Sequence, residues 1–126
     1  VKGVLVDTSV WIDHFRRRNA PLIDLLERDL VVIHPLVVGE IACGTPPDRI
    51  RTLTDLASLQ HAQQASVREV MAFIERERLF GLGCGLVDLL LLASTLMTPG
   101  LELWTLDKRL SALTQRFGVM HQPVVH

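Results

Sequence analysis

Four carboxylates stand where carboxylates are costly or exposed to a crevice. Asp88 lies in "GLVDLLLLASTLM" (85–97), and from Leu79 to Leu101 it is the only Asp, Glu, Lys or Arg. Glu40 repeats the pattern in "PLVVGEIACG", where it is the only charged residue between Pro35 and Thr45. Asp7 and Asp107 each end a strand-like run, "VLVD" and "LWTLD". A carboxylate in apolar company needs a partner, hydrogen bonds or a metal. Neither uncharged segment supplies a base, so the economical solution is convergence on shared cations. An oxygen-only set suits Mg2+ or Mn2+ rather than Zn2+, which prefers His and Cys. Cations held this way lower the pKa of bound water. Without metal the four acids would repel one another and raise some of their own pKa values. Each acid also has a plain structural reading. Asp7 could bond the turn after it, Asp107 could cap the helix that follows, Asp88 could cap a helix starting at Leu89, and Glu40 could face solvent.

The elements that must position these acids are legible in the hydrophobic pattern. "VLVD" (4–7) reads as a buried strand, with Ser9 as N-cap of a helix from Val10 to Arg17. Trp11 and Phe15 share one face of it. A short helix over 21–28 is followed by a strand over 30–33 and a helix from Pro35 to Cys43. Ile50, Leu53 and Leu56 mark a helix over 48–59, and 58–62 reads as a short third strand. Ser66 and Glu69 form a capping box for a helix over 66–81, with Gly81 as its stop. Helix 86–96, strand 101–106, helix 107–118 and a last strand in "VMHQPVV" (119–125) complete the chain. This alternation predicts a three-layer α/β/α sandwich on a mainly parallel sheet of about five strands. In such sheets sites form at the carboxyl ends of strands, where Asp7 and Asp107 would share a crevice.

The chain of 126 residues is 48% hydrophobic and 21% charged, which predicts one globular domain over 1–126. A net charge of −1 predicts no strong non-specific grip on nucleic acid unless bound cations offset the acids. The opening run lacks the basic-then-apolar pattern of a secretory leader. The uncharged stretch 79–101 is interrupted by Gly81, Gly83 and Gly85 and ended by Pro99, leaving a helix too short to span a bilayer. Cys43 and Cys84 make no metal-type pair and read as reduced, buried thiols of a cytoplasmic protein.

"VLVDTSVWIDHFR", "GE" within the second helical segment, "GLVDLLLLAS" and "LWTLDKRL" resemble, in order, the PIN-domain ribonucleases, and more closely the VapC toxins of bacterial VapBC toxin–antitoxin pairs. The resemblance implies a five-stranded parallel sheet and an acidic pocket of Asp7, Glu40, Asp88 and Asp107 holding one or two Mg2+ or Mn2+ ions. It implies polar neighbours at Thr8 or Ser9 and at Thr105. It further implies endoribonuclease action on structured RNA such as tRNA, a cognate VapB antitoxin that blocks the pocket, and a homodimer. Some PIN proteins carry another acid shortly after the last one, where this chain has Lys108 and Arg109.

On that mapping, Ser9 and Thr105 would hydrogen-bond the acids or a water. Arg16, Arg17, Arg18, Lys108 and Arg109 are candidate phosphate contacts; solvated helix-end charges are another reading, and antitoxin contact is a third for Arg16, Arg17 and Arg18. The histidines form no pair suited to metal-free acid–base catalysis. A haloacid-dehalogenase-type phosphohydrolase would want a second Asp at position 9, which is Ser. A non-catalytic interaction module is the remaining alternative.

Overall fold

A computed structural model describes residues 2–124. β1 (Gly3–Val6) passes through Asp7 straight into α1 (Thr8–Arg17), and α2 (Ala20–Glu27) leads to β2 (Val31–Ile33). α3 (Pro35–Ala42) and α4 (Arg49–Ala57) precede β3 (Gln60–His61). α5 (Val67–Glu77), α6 (Leu86–Met97), β4 (Leu101–Trp104) and α7 (Lys108–Arg116) complete the order. The sheet runs β3-β2-β1-β4 and every pairing is parallel. The helices pack in two groups, α1 with α3 and α3 with α4, and α6 with α5 and α7. The result is the α/β/α sandwich expected from the alternation.

β1 is central, and Val4, Leu5 and Val6 are wholly buried, as befits a parallel strand covered on both faces. α6 buries an unbroken run from Leu89 to Thr95, so its apolar sequence is core. Among the described residues no helix is long and apolar enough to cross a membrane.

Several expectations need correction. The fifth strand contracts to one parallel bridge, Leu103 to Met120, because the Leu103 N–H donates to Val119 O and the His121 N–H donates to Leu103 O before pairing ends. Val125 of that expected strand lies outside the described residues. Asp7, not Ser9, caps α1, so the helix starts two residues early. α5 stops at Glu77, where Arg78 turns left-handed at φ +53°, rather than at Gly81. Ile50 is exposed while Leu56 alone of its trio is fully buried. Both cysteines are free; Cys84 is partly buried but Cys43 is exposed.

Candidate active site

Moving outward from β1, β2 lies on one side and β4 on the other. The carboxyl ends of β1 and β4 therefore flank the switch point at which open α/β sheets form a crevice. Asp7 follows β1 there and Asp107 follows β4 there.

Asp7 is 6% exposed and is fixed through one oxygen. Its Oδ2 accepts from Ser9 Oγ at 2.7 Å, from Thr105 Oγ1 at 2.8 Å and, weakly, from the Ser9 N–H at 3.4 Å. Both hydroxyl protons are thus spent on Asp7, so the 3.4 Å approach of Ser9 Oγ to Thr105 Oγ1 is proximity rather than a bond. The same hydroxyls accept in turn. Ser9 Oγ takes the Leu106 N–H at 3.0 Å, and Thr105 Oγ1 takes the Asp107 N–H at 3.0 Å. Two hydroxyls thereby tie the end of β1 to the segment after β4. Among the described residues, Asp7 Oδ1 accepts from no protein donor.

Asp107 is the N-cap of α7, with Oδ1 accepting from the Arg109 and Leu110 N–H groups at 2.9 and 3.1 Å. Asp88 sits in the first turn of α6, where Oδ2 accepts the Gly85 N–H at 3.2 Å. Burial pushes the Asp88 carboxyl above the usual carboxylate range; the Gly85 bond opposes this, and the charges of Asp7 and Asp107 add to it. Burial likewise pushes the Cys84 thiol up, with Asp88 and Asp107 contributing and Arg109 opposing.

The structure thus brings Asp88 within electrostatic reach of Asp7 and of Asp107. Glu40 departs from expectation: it is exposed, because α3 buries only the stripe of Val37 and Ile41. It joins the group at one remove, accepting from Thr8 Oγ1 at 2.7 Å beside Asp7. The structural readings of Asp7 and Asp107 therefore hold as well, and each leaves a second carboxylate oxygen; Asp88 is not the cap of a helix starting at Leu89, because α6 starts at Leu86 after Gly85 and Asp88 stands at its third position. The all-oxygen donor set suits a hard divalent cation. Among the described residues, however, no three His, Cys, Asp or Glu side chains are placed to hold one ion. The donor chemistry fits a hard divalent cation.

The sequence model of the PIN domain matches residues 4–115. The chain belongs to the PIN-domain family. Among curated relatives, Ribonuclease VapC32 of Mycobacterium tuberculosis is 44% identical over 116 residues, covering 92% of this PIN chain and 94% of the relative. The protein of the same name from strain H37Rv matches equally.

The basic residues divide. Arg16, Arg17 and Arg18 lie at the far end of α1, about 14 Å along its axis from Asp7 at 1.5 Å per residue. Arg17 pairs with Asp13 at 2.7 Å. Lys108 and Arg109 begin α7, directly beside the acids. Sequence reading missed Gly83, which lies against Arg109; its signal was the alternation Gly81, Gly83, Gly85, read only as a helix breaker.

Proposed function

We propose that this PIN-domain chain is a metal-dependent endoribonuclease acting as the toxin of a type II toxin–antitoxin pair. It hydrolyses phosphodiester bonds in structured RNA such as tRNA, slows translation and growth, and is neutralised by a VapB-type antitoxin. The observation that carries the reading is the meeting of Asp7, Asp88 and Asp107 at the β1/β4 switch point. The names of the relatives point the same way. Asp7, Asp88 and Asp107 would hold one or two Mg2+ or Mn2+ ions, with Glu40 completing the set from the Thr8 side. The bound ion supplies a more acidic water and neutralises phosphate oxygens.

The chain's own residues supply position. Thr105 and Ser9 hold Asp7 by one oxygen, and the other would be the one offered to the ion. Asp107 and Asp88 are held by backbone N–H groups at two helix starts, which limits how far any of the three can swing. Arg16, Arg17, Arg18 and Lys108 would touch phosphates away from the scissile bond. Two copies would pair as a homodimer. Ser9 is engaged by Asp7 and Leu106, leaving no second carboxylate for dehalogenase-type phosphoryl transfer.

Incubation of total tRNA with the protein in Mg2+, in EDTA and as the Asp7→Asn variant tests the reading. Asn caps helices as well as Asp, so the variant should fold. Its cleavage should fall about 10²-fold or more, the scale of removing one group that stabilises transition-state charge. Undiminished cleavage in EDTA overturns the proposal.

A further inference from the structure

Lys108 and Arg109 open α7 at the positive end of its dipole, where anions are favoured. Helix stability does not explain two cations there. Neither makes an ion pair among the described residues, although Asp107 precedes them. Arg109 instead lies against the loop between α5 and α6. A Cβ at Gly83 would fall 2.6 Å from Arg109 Cδ and 2.9 Å from its Nε and Nη1. Gly83 has φ +86°, which L residues rarely adopt. The loop therefore presents bare backbone to the arginine.

Arg109, Ala112, Leu113 and Arg116 follow one another along a single side of α7. Arg116 is anchored by donating to Glu77 O at 3.1 Å and by lying 5.1 Å over the Phe117 ring. Leu82, Lys108 and these four residues line a surface groove of about 460 Å³. It holds three cations, no carboxylate and an exposed leucine. One end lies at Asp107, beside the acidic crevice.

Guanidinium groups match phosphate oxygens in a planar fork. A nucleic-acid strand also offers apolar base faces between its phosphates. A strand with one phosphate at the acids would continue into this groove. We propose that this side of α7 is the track for the RNA strand leaving the acidic crevice, with Arg109 and Arg116 on its phosphates and Gly83 as the positioning residue that sets Arg109. The track rests on the ribonuclease reading above.

The test is fluorescence anisotropy of a labelled, mixed-sequence single-stranded RNA 12-mer in EDTA across a salt series. Each lost phosphate contact should flatten the slope of log K against log salt by about 0.7, so Arg109→Ala flattens it once and Arg109→Ala/Arg116→Ala about 1.4 in all. Arg109→Lys, which keeps the charge without the fork, should fall between. Gly83→Ala should weaken binding in the natural background and add nothing to Arg109→Ala. With Mg2+ present, Arg109→Ala and Gly83→Ala should raise KM more than they lower kcat. Arg51→Ala on α4 should match the unaltered protein. Unchanged slopes in the α7 variants overturn the track. So does an effect of Gly83→Ala that adds fully to Arg109→Ala, since that is loop strain. Binding of a polyglutamate peptide that needs these arginines, when RNA does not, overturns it in favour of an acidic protein partner. RNA binding that needs the α7 arginines without cleavage in any divalent cation supports the track and sinks the ribonuclease reading. Cleavage with unaltered α7 slopes does the reverse.

Discussion

Asp88 is held to its helix through one oxygen while its charge is felt at the neighbouring acids. Oδ2 accepts the Gly85 N–H and so holds the first turn of α6, while burial and the nearness of Asp7 and Asp107 make the ionised carboxyl costly. Replacing it by Asn separates the two. The amide oxygen can still accept from Gly85, so the cap survives, and the charge that crowds Asp7 and Asp107 is gone. In EDTA, Asp88→Asn should therefore melt at or above the temperature of the unaltered protein, while ribonuclease activity falls about 10²-fold, as for removal of a charge-stabilising group. Thermal unfolding by circular dichroism and an RNA cleavage assay check this together. Lower stability alongside the lost activity would reduce Asp88 to a structural cap. The uncharged runs singled out both Asp88 and Glu40, yet neither acid shares the full burial of its neighbours. α6 is buried from Leu89 to Thr95 and Asp88 lies just before that stretch, half-buried, whereas α3 buries one stripe and leaves Glu40 exposed. An uncharged stretch is not the same thing as a buried one.

At the scale of elements, the helix starts are set by side chains that sequence alone places within a residue or two. Asp7, Asn19, Ser66 and Asp107 cap four helices; the Ser66–Glu69 box was readable because its spacing is local. Asp7 was misassigned because Ser9 is an equally good cap by type, and only the Ser9 N–H reaching back to Asp7 decides it. The contraction of the last strand has a different origin, since parallel pairing depends on where a distant strand ends, which no local pattern records. The cap of α3 is a histidine, which makes it sensitive to pH. His34 is 2% exposed, and its Nδ1 accepts the Leu36 N–H at 3.1 Å. Burial, and then the charge of His61 on the neighbouring strand β3, hold its pKa below the ordinary 6.5. His14 is held down too, by burial first and then by Arg18, with Asp13 opposing, and its Nδ1 accepts the Asn19 N–H. A lowered histidine pKa means that the unfolded chain takes up protons first as pH falls. Stability contributed by the neutral rings is complete above the unfolded value and declines from about pH 6.5 downward until the folded rings protonate. His34→Asn keeps an acceptor at the cap and removes the titration. Its melting temperature should fall less between pH 7.5 and 5 than that of the unaltered protein. An equal fall in both would show that His34 does not carry the dependence.

The whole molecule decides which acids meet. Alternating strands and helices announce an α/β sandwich, but not the order β3-β2-β1-β4, and it is that order that sets Asp7 beside Asp107. Strand order is fixed by crossovers between distant segments, so periodicity could nominate the acids without showing that Glu40 approaches Asp7 by way of Thr8. On the hydrolytic reading, a cation at the carboxyl ends of β1 and β4 would also be a partner in stability. Asp7 and Asp107 add to the cost of ionising Asp88 in the folded chain, and the three separate when it unfolds. A cation that binds only the folded acids adds stability of RT ln(1 + [L]/Kd), about 2.7 kcal/mol at one hundred times Kd. For a domain of this size each kcal/mol is worth roughly 2–8 °C in melting temperature. Added Mn2+ should thus raise the midpoint by several degrees over EDTA, rising with the logarithm of its concentration. Asp7→Asn should lose most of that rise, and Arg51→Ala none of it. The readout needs no RNA, so it separates a failed choice of substrate from a failed metal site. Equal midpoints in Mn2+ and EDTA would mean that the three carboxylates close on no ion, and the hydrolytic reading would lose its chemistry.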